Sequence, residues 1–174
     1  MRMKKLLTLL PLIALIAACS SKDKVSVDQE GSDKYTEKHI MAMPNSKQIV
    51  DQVHGKELWF AIAPMGGVDG MPANGVTQSH YFEDGTYLHN LKLNVERPED
   101  GFFYEGWVVH PETKDWVSLG HLNSNFGDVR HGLQFRGEQD LREYLQVKVT
   151  LEQDDGNPSP GDVTAEGVLK VTQR

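Results

Sequence analysis

The sequence predicts an all-β fold, an antiparallel β-sandwich of seven to eight strands with a small barrel as the alternative. Three observations predict it. From residue 58 onward apolar residues recur at period two in eight short runs, the pattern of strands with one face turned to a core. Gly, Asp, Asn and Pro separate the runs at the spacing of short antiparallel strands. No stripe at the helical period of 3.6 competes, apart from a possible turn of helix over 138–143.

Taken in order, the runs span 58–63, 76–82, 86–95, 102–110, 116–122, 130–136, 144–152 and 163–171. After the first, Gly66, Gly67 and Gly70 read as a loop leading to a strand and not to a helix N-terminus, which argues against a phosphate cradle. In the fourth, Gly106 interrupts bulky residues. A missing side chain inside a strand marks the close approach of another group, expected here to be the indole of Trp107 or Trp116 or a crossing backbone. Glu105, set among Phe103, Trp107 and Val109, needs a partner if it is buried. The seventh run alternates most cleanly, with Leu145, Val147, Val149 and Leu151 against Gln146, Lys148 and Thr150. Asp154-Asp155-Gly156-Asn157 lacks the alternate acids of a calcium loop and reads as the turn before the last strand. Pro158-Ser159-Pro160-Gly161 then fixes that connection, because its prolines cannot donate to a ladder. Strands of this number and spacing suggest an Ig-like sandwich over residues 56–174.

One hairpin can be placed in register. Asp84-Gly85 between two runs predicts a two-residue type I′ turn, in which both central residues take positive φ. That closure pairs Phe82 with Tyr87 and His80 with His89, so the two imidazoles face each other on one side of the sheet. Directly opposed Cβ atoms lie about 4.5–5.5 Å apart, near enough for His80 and His89 to share a metal. A metal site needs a third or fourth ligand, which the sequence does not place. Two half-buried imidazoles hydrogen-bonded to neighbours account for the same residues, so no metal or other cofactor is expected.

The N-terminus carries an address. Arg2, Lys4 and Lys5 precede an apolar run over 6–18, the layout of a signal peptide, and a 13-residue run is too short to span a bilayer, which takes roughly 20. Ile16-Ala17-Ala18-Cys19 resembles the lipobox of bacterial lipoproteins. The resemblance implies cleavage after Ala18 and a diacylglyceryl thioether on Cys19, often with a further acyl chain on the new amino group. Two chains suffice for stable anchoring. Cys19 is the only cysteine, so it has no disulfide partner within the chain. Ser20 resembles the sorting residue of outer-membrane lipoproteins, which implies the periplasmic face of an outer membrane where the cell has two. Residues 19–55, rich in Ser, Lys, Asp, Glu and Gln with few aromatics, read as the lipidated cysteine and a solvated tether.

Charge narrows the partners. Loss of Arg2, Lys4 and Lys5 with the signal peptide takes the formal charge from −7 to −10, which argues against nucleic acid and against polybasic contact with anionic headgroups. No Gly-x-Ser-x-Gly elbow, His-Glu-x-x-His pair or nucleophilic cysteine is present, and nothing points to an enzyme. His39-Ile40-Met41-Ala42-Met43 offers soft ligands that suit Cu(I), while methionines at alternating positions also fit an edge strand or a patch that covers the sandwich.

Two segments, Phe103-Tyr104-Glu105-Gly106-Trp107-Val108-Val109 and Val147 through Thr150-Leu151-Glu152 to Gly156, Pro158 and Pro160, resemble the signature segments of the extracytoplasmic C-terminal domain of anti-sigma-K factors. The likeness covers roughly 57–172. It implies an all-β sandwich outside the cytoplasmic membrane with no catalytic residues. Members of that family carry a cytoplasmic sigma-binding region and a transmembrane helix ahead of this domain, and residues 1–55 offer neither. The expectation is therefore a lipid-anchored, non-enzymatic binding or sensing module of the envelope, with an envelope protein or small ligand as partner. Its alternatives are a periplasmic copper- or zinc-binding lipoprotein and a structural or adhesive envelope lipoprotein.

Overall fold

The computed structural model describes residues 47–173, which form ten strands and no helix. They are β1 (Val50–Asp51), β2 (Gly55–Gly67), β3 (Asn74–Phe82), β4 (Tyr87–Asn94), β5 (Phe102–Val109), β6 (Trp116–His121), β7 (Arg130–Gly137), β8 (Gln146–Gln153), β9 (Asp162–Val168) and β10 (Lys170–Val171). All pair antiparallel, in one sheet ordered β6-β5-β8-β9-β2-β3-β4-β7, with β1 and β10 also on β2. The all-β antiparallel fold read from the period-two runs is the fold observed.

The two ends of that sheet meet. Asn123, just past β6, and Gly132 in β7 exchange backbone hydrogen bonds of 2.8 and 2.9 Å. The layers expected of a sandwich are thus halves of one sheet rolled almost into a barrel, which leaves little open edge. Ala61, Ala63, Leu91, Leu93, Tyr104, Val108, Val147, Val149 and Ala165, from β2, β4, β5, β8 and β9, fill its interior as one cluster. Gly106 lies where the roll closes. A Cβ there would touch Leu122 and Leu133 at 3.4 Å, so the close group is a pair of leucines and not an indole or a crossing backbone. Opposite it, Gly120 takes φ +99° at a bulge between β5 and β6, and such bulges sharpen the bend of a sheet.

Several boundaries move from their expected places. β2 runs on through Gly66 and Gly67, which pair with Glu166 and Ala165 of β9, so only Gly70 of the three glycines sits in the loop. The 163–171 strand is broken at Leu169. The gap in its ladder with β2, between the pairs Gly66–Glu166 and Ile62–Lys170, spans Pro64, which has no N–H to give, and Leu169 donates to Leu145 O, just ahead of β8, at 2.8 Å. Residues 138–143 form no helix. The segment makes a turn closed by Tyr144 N–H to Leu141 O, 3.0 Å, because six residues gain too few helical bonds to offset nucleation while Leu141 is wholly buried in the core.

The tether expected over 19–55 gives way before residue 55. β1 pairs with Gly55 and Lys56, and the Asp51 carboxylate accepts from the Val53 and His54 N–H groups at 2.8 and 3.0 Å. Pairing with an existing sheet overrides a polar composition here. The signal peptide, Ala18, Cys19 and His39-Met41-Met43 lie outside the described residues.

Candidate functional site

The hairpin between β3 and β4 decides what its histidines can do. Tyr81 pairs with Tyr87, His80 with Leu88 and Ser79 with His89, one residue away from the expected register. Gly85 N–H donates to Phe82 O at 3.0 Å and Gly85 alone of the turn takes positive φ, +87°. This is a three-residue connection with a glycine bulge, not a two-residue type I′ turn. Asp84 keeps negative φ because its carboxylate is engaged: it accepts from Thr86 N–H at 2.9 Å and meets His54 Nδ1 at 2.8 Å. Those bonds outweigh burial, which alone would raise the Asp84 pKa, and hold it below the ordinary carboxylate value. A one-residue offset turns side chains to the other face. His80 and His89 therefore lie on opposite faces of the sheet, and the shared metal site read from the sequence has no basis.

His89 points into the barrel, fully buried. Its Nε2 lies 2.7 Å from Thr77 Oγ1 and its Nδ1 2.8 Å from Ser79 Oγ. Thr77 donates its own proton to Asn90 O, and Ser79 accepts one from Tyr87 OH at 3.0 Å. Thr77 is thus left to accept from Nε2–H and Ser79 to donate to Nδ1, which fixes one neutral tautomer. Burial, helped by the nearby His80, pushes the His89 pKa down to about 3. With both ring nitrogens spent, His89 is a structural core residue.

His80 points out of the barrel and is no less buried. Its Nδ1 lies 2.6 Å from Glu57 Oε1, and its Nε2 makes no hydrogen bond to any described residue. Phe60 and Phe82 flank the ring, with centroids at 5.1 and 6.2 Å, and His54 follows at 5.6 Å from Phe82. Among the described residues no group of three or more His, Cys, Asp or Glu is placed to hold a metal.

Three of the residues that carried the resemblance, Trp107, Thr150 and Glu152, meet on the outer face of β5 and β8. Trp107 Nε1–H donates to Thr150 Oγ1 at 2.8 Å, Thr150 Oγ1 donates to the Glu152 carboxylate, and that carboxylate accepts Gly161 N–H at 2.9 and 3.0 Å. The chain of bonds runs from the first signature segment through the second to the loop with Pro158 and Pro160. Its side chains, Trp107, Thr150 and Glu152, are buried and hydrogen-bonded, so it pins the exposed connection at Gly161 and offers no polar side chain to solvent. The other motif residues are structural as well. Tyr104 enters the core and donates to Glu96 O at 3.0 Å, Leu151 packs against the core, and Gly156 takes φ +77° in the turn. Glu105 is half-exposed and accepts from Ser118 Oγ, so it is not the buried carboxylate that its apolar neighbours suggested.

A site that sequence reasoning missed lies at the end of the barrel where β3 begins and β4 ends. A hollow of about 590 Å³ opens there, lined by Met65, Val76 and Leu93 together with Lys92, Arg130 and His131; Val76 stands beside Lys92 and Leu93 beside His131 on paired strands. Arg130 is held by Asp128 at 2.5 Å. Lys92 makes no ion pair among the described residues, and its chain lies across Gly132, where a Cβ would collide with Nζ. His131 Nδ1 donates to Val129 O at 3.0 Å, which leaves Nε2 as an acceptor. No carboxylate lines the hollow, although the chain as a whole is acidic. The signal was unreadable in sequence, since Lys92, Arg130 and Met65 come together only through the pairing of β2, β3, β4 and β7.

No family model, no curated protein and no solved structure matches this chain.

Proposed function

We propose that this protein is a lipid-anchored, non-enzymatic binding module of the cell envelope, held outside the cytoplasm by lipid on Cys19 and related to the sensor domains of anti-sigma factors. The lipobox-like Ile16-Ala17-Ala18-Cys19 after a short apolar run supports the anchoring. The observation that carries the binding role is the hollow at the barrel end. It sets Met65, Val76 and Leu93 beside the Lys92 ammonium, which has no ion-pair partner among the described residues, in an otherwise acidic chain, and a largely apolar concavity with a few polar groups is the common form of a small-ligand site. The ligand class that fits is a small molecule with an apolar body and one anionic group.

Two measurements test the two halves. Palmitate labelling and membrane fractionation of the full chain should give a labelled membrane protein that Cys19→Ala turns into an unlabelled soluble one; label retained in the variant refutes the anchor. Calorimetric titration with an alkyl phosphate and with the parent alcohol should show binding of the phosphate only, weakened at least tenfold by Lys92→Glu. Equal binding of both, or none of either, refutes the ligand class.

A further inference from the structure

The outer face of β2, β3 and β4 is sealed although it faces away from the core. Phe60, His80 and Leu88 stand side by side across the three strands, 2%, 0% and 5% exposed, and Phe82 is wholly buried beside them. None of these residues belongs to the interior cluster. Glu57, Gln78 and Asn90 are buried on the same face. One face of an antiparallel sheet is normally left to water and reads as polar. Here β3 and β4 pack substantially against no described strand but their ladder neighbours, and the His54 ring on Phe82 shields only one corner.

We propose that residues 38–46 of this chain, with Ile40, Met41 and Met43, are the cover of that face. The described chain begins beside it: Gln48 Nε2–H donates to Glu57 O at 2.5 Å and Glu57 N–H to Ile49 O at 2.9 Å. Nine residues extend about 30 Å, and three strands at about 4.8 Å spacing present a face on the order of 10 Å wide, so the reach is ample. The chemistry also fits: these nine residues carry an isoleucine and two methionines, and methionine fills irregular apolar gaps well. On this reading the alternating methionines serve as a packing strip. The inference holds or fails independently of the lipid and of the barrel-end hollow.

The test uses the full chain carrying Cys19→Ser, with its methionines replaced by the photoreactive diazirine analogue and prepared as a mixture of heavy- and light-isotope protein. Irradiation and peptide mapping should give cross-links from Met41 or Met43 to residues 74–94 within one isotopic form. Absence of such intrachain cross-links overturns the proposal, and mixed-isotope links alone assign the face to a second copy. A second measurement covers packing. In a Leu88→Cys background, Met41→Asp with Met43→Asp should speed maleimide labelling of residue 88 at least tenfold, and an unchanged rate overturns the proposal.

Discussion

His89 gives this barrel a built-in sensitivity to mild acid. Its imidazole titrates near 3 in the folded protein against an ordinary 6.5, because charging it would strand a cation in the core and cost it the proton now donated by Ser79. The unfolded chain takes up a proton below pH 6.5 that the folded chain refuses, so stability is complete above that pH and declines as pH falls toward 3. The slope is about 1.4 kcal/mol per pH unit, which amounts to about 2 kcal/mol lost between pH 7.5 and 5. For a domain of this size that lowers Tm by roughly 8 °C. The carboxylates of Asp84, Asp128 and Asp140 sit below their ordinary values, so their contributions decline only below about pH 4, outside this window. The assay is urea unfolding at pH 7.5, 6 and 5 for the native chain and for His89→Asn, whose amide can bond Thr77 or Ser79 but does not titrate. The variant should start less stable and lose about 2 kcal/mol less than the native chain on acidification. Parallel losses in the two proteins would refute the assignment of the pH dependence to His89.

Other perturbations follow from the same geometry. Trp107→Phe and Thr150→Val should each destabilise by about 1–2 kcal/mol, and a double-mutant cycle by chemical denaturation should return a coupling of roughly 0.5–1.5 kcal/mol; additive losses would show that the Trp107–Thr150 bond carries no energy of its own. Gly75→Ala should cost more than about 2 kcal/mol, since its Cβ would strike the Lys92 carbonyl on the neighbouring strand, whereas Gly66→Ala, which meets nothing, should stay within about 1 kcal/mol in the same melts. Gly85→Ala should cost about 1 kcal/mol from its φ of +87°, and an unchanged Tm would mean that the turn rearranges freely.

How far the site was legible depends on what each signal encodes. The residues of the Trp107–Thr150–Glu152 bond chain were all singled out by their motif, because indole, hydroxyl and carboxylate at those spacings are visible one segment at a time. Their joint role was not, since Gly161 closes the chain from a loop whose path no local pattern fixes. The histidines show the converse. Asp84-Gly85 marks a hairpin, but a type I′ turn and a three-residue turn with a glycine bulge use the same two letters. The choice fell to His54 and Thr86, which hold the Asp84 side chain from 30 residues and two residues away.

By itself the sequence determined that this is an all-β fold and where its strands run to within a few residues. Period-two burial is a local property that a linear reading recovers. Only the tertiary structure decided that the sheet rolls shut between Asn123 and Gly132, that His80 and His89 face opposite ways, and that Lys92 and His131 border one hollow with Met65. Each of these depends on register and on contacts between strands remote in sequence, and a shift of one residue in pairing exchanges the two faces of a strand without changing a letter of it.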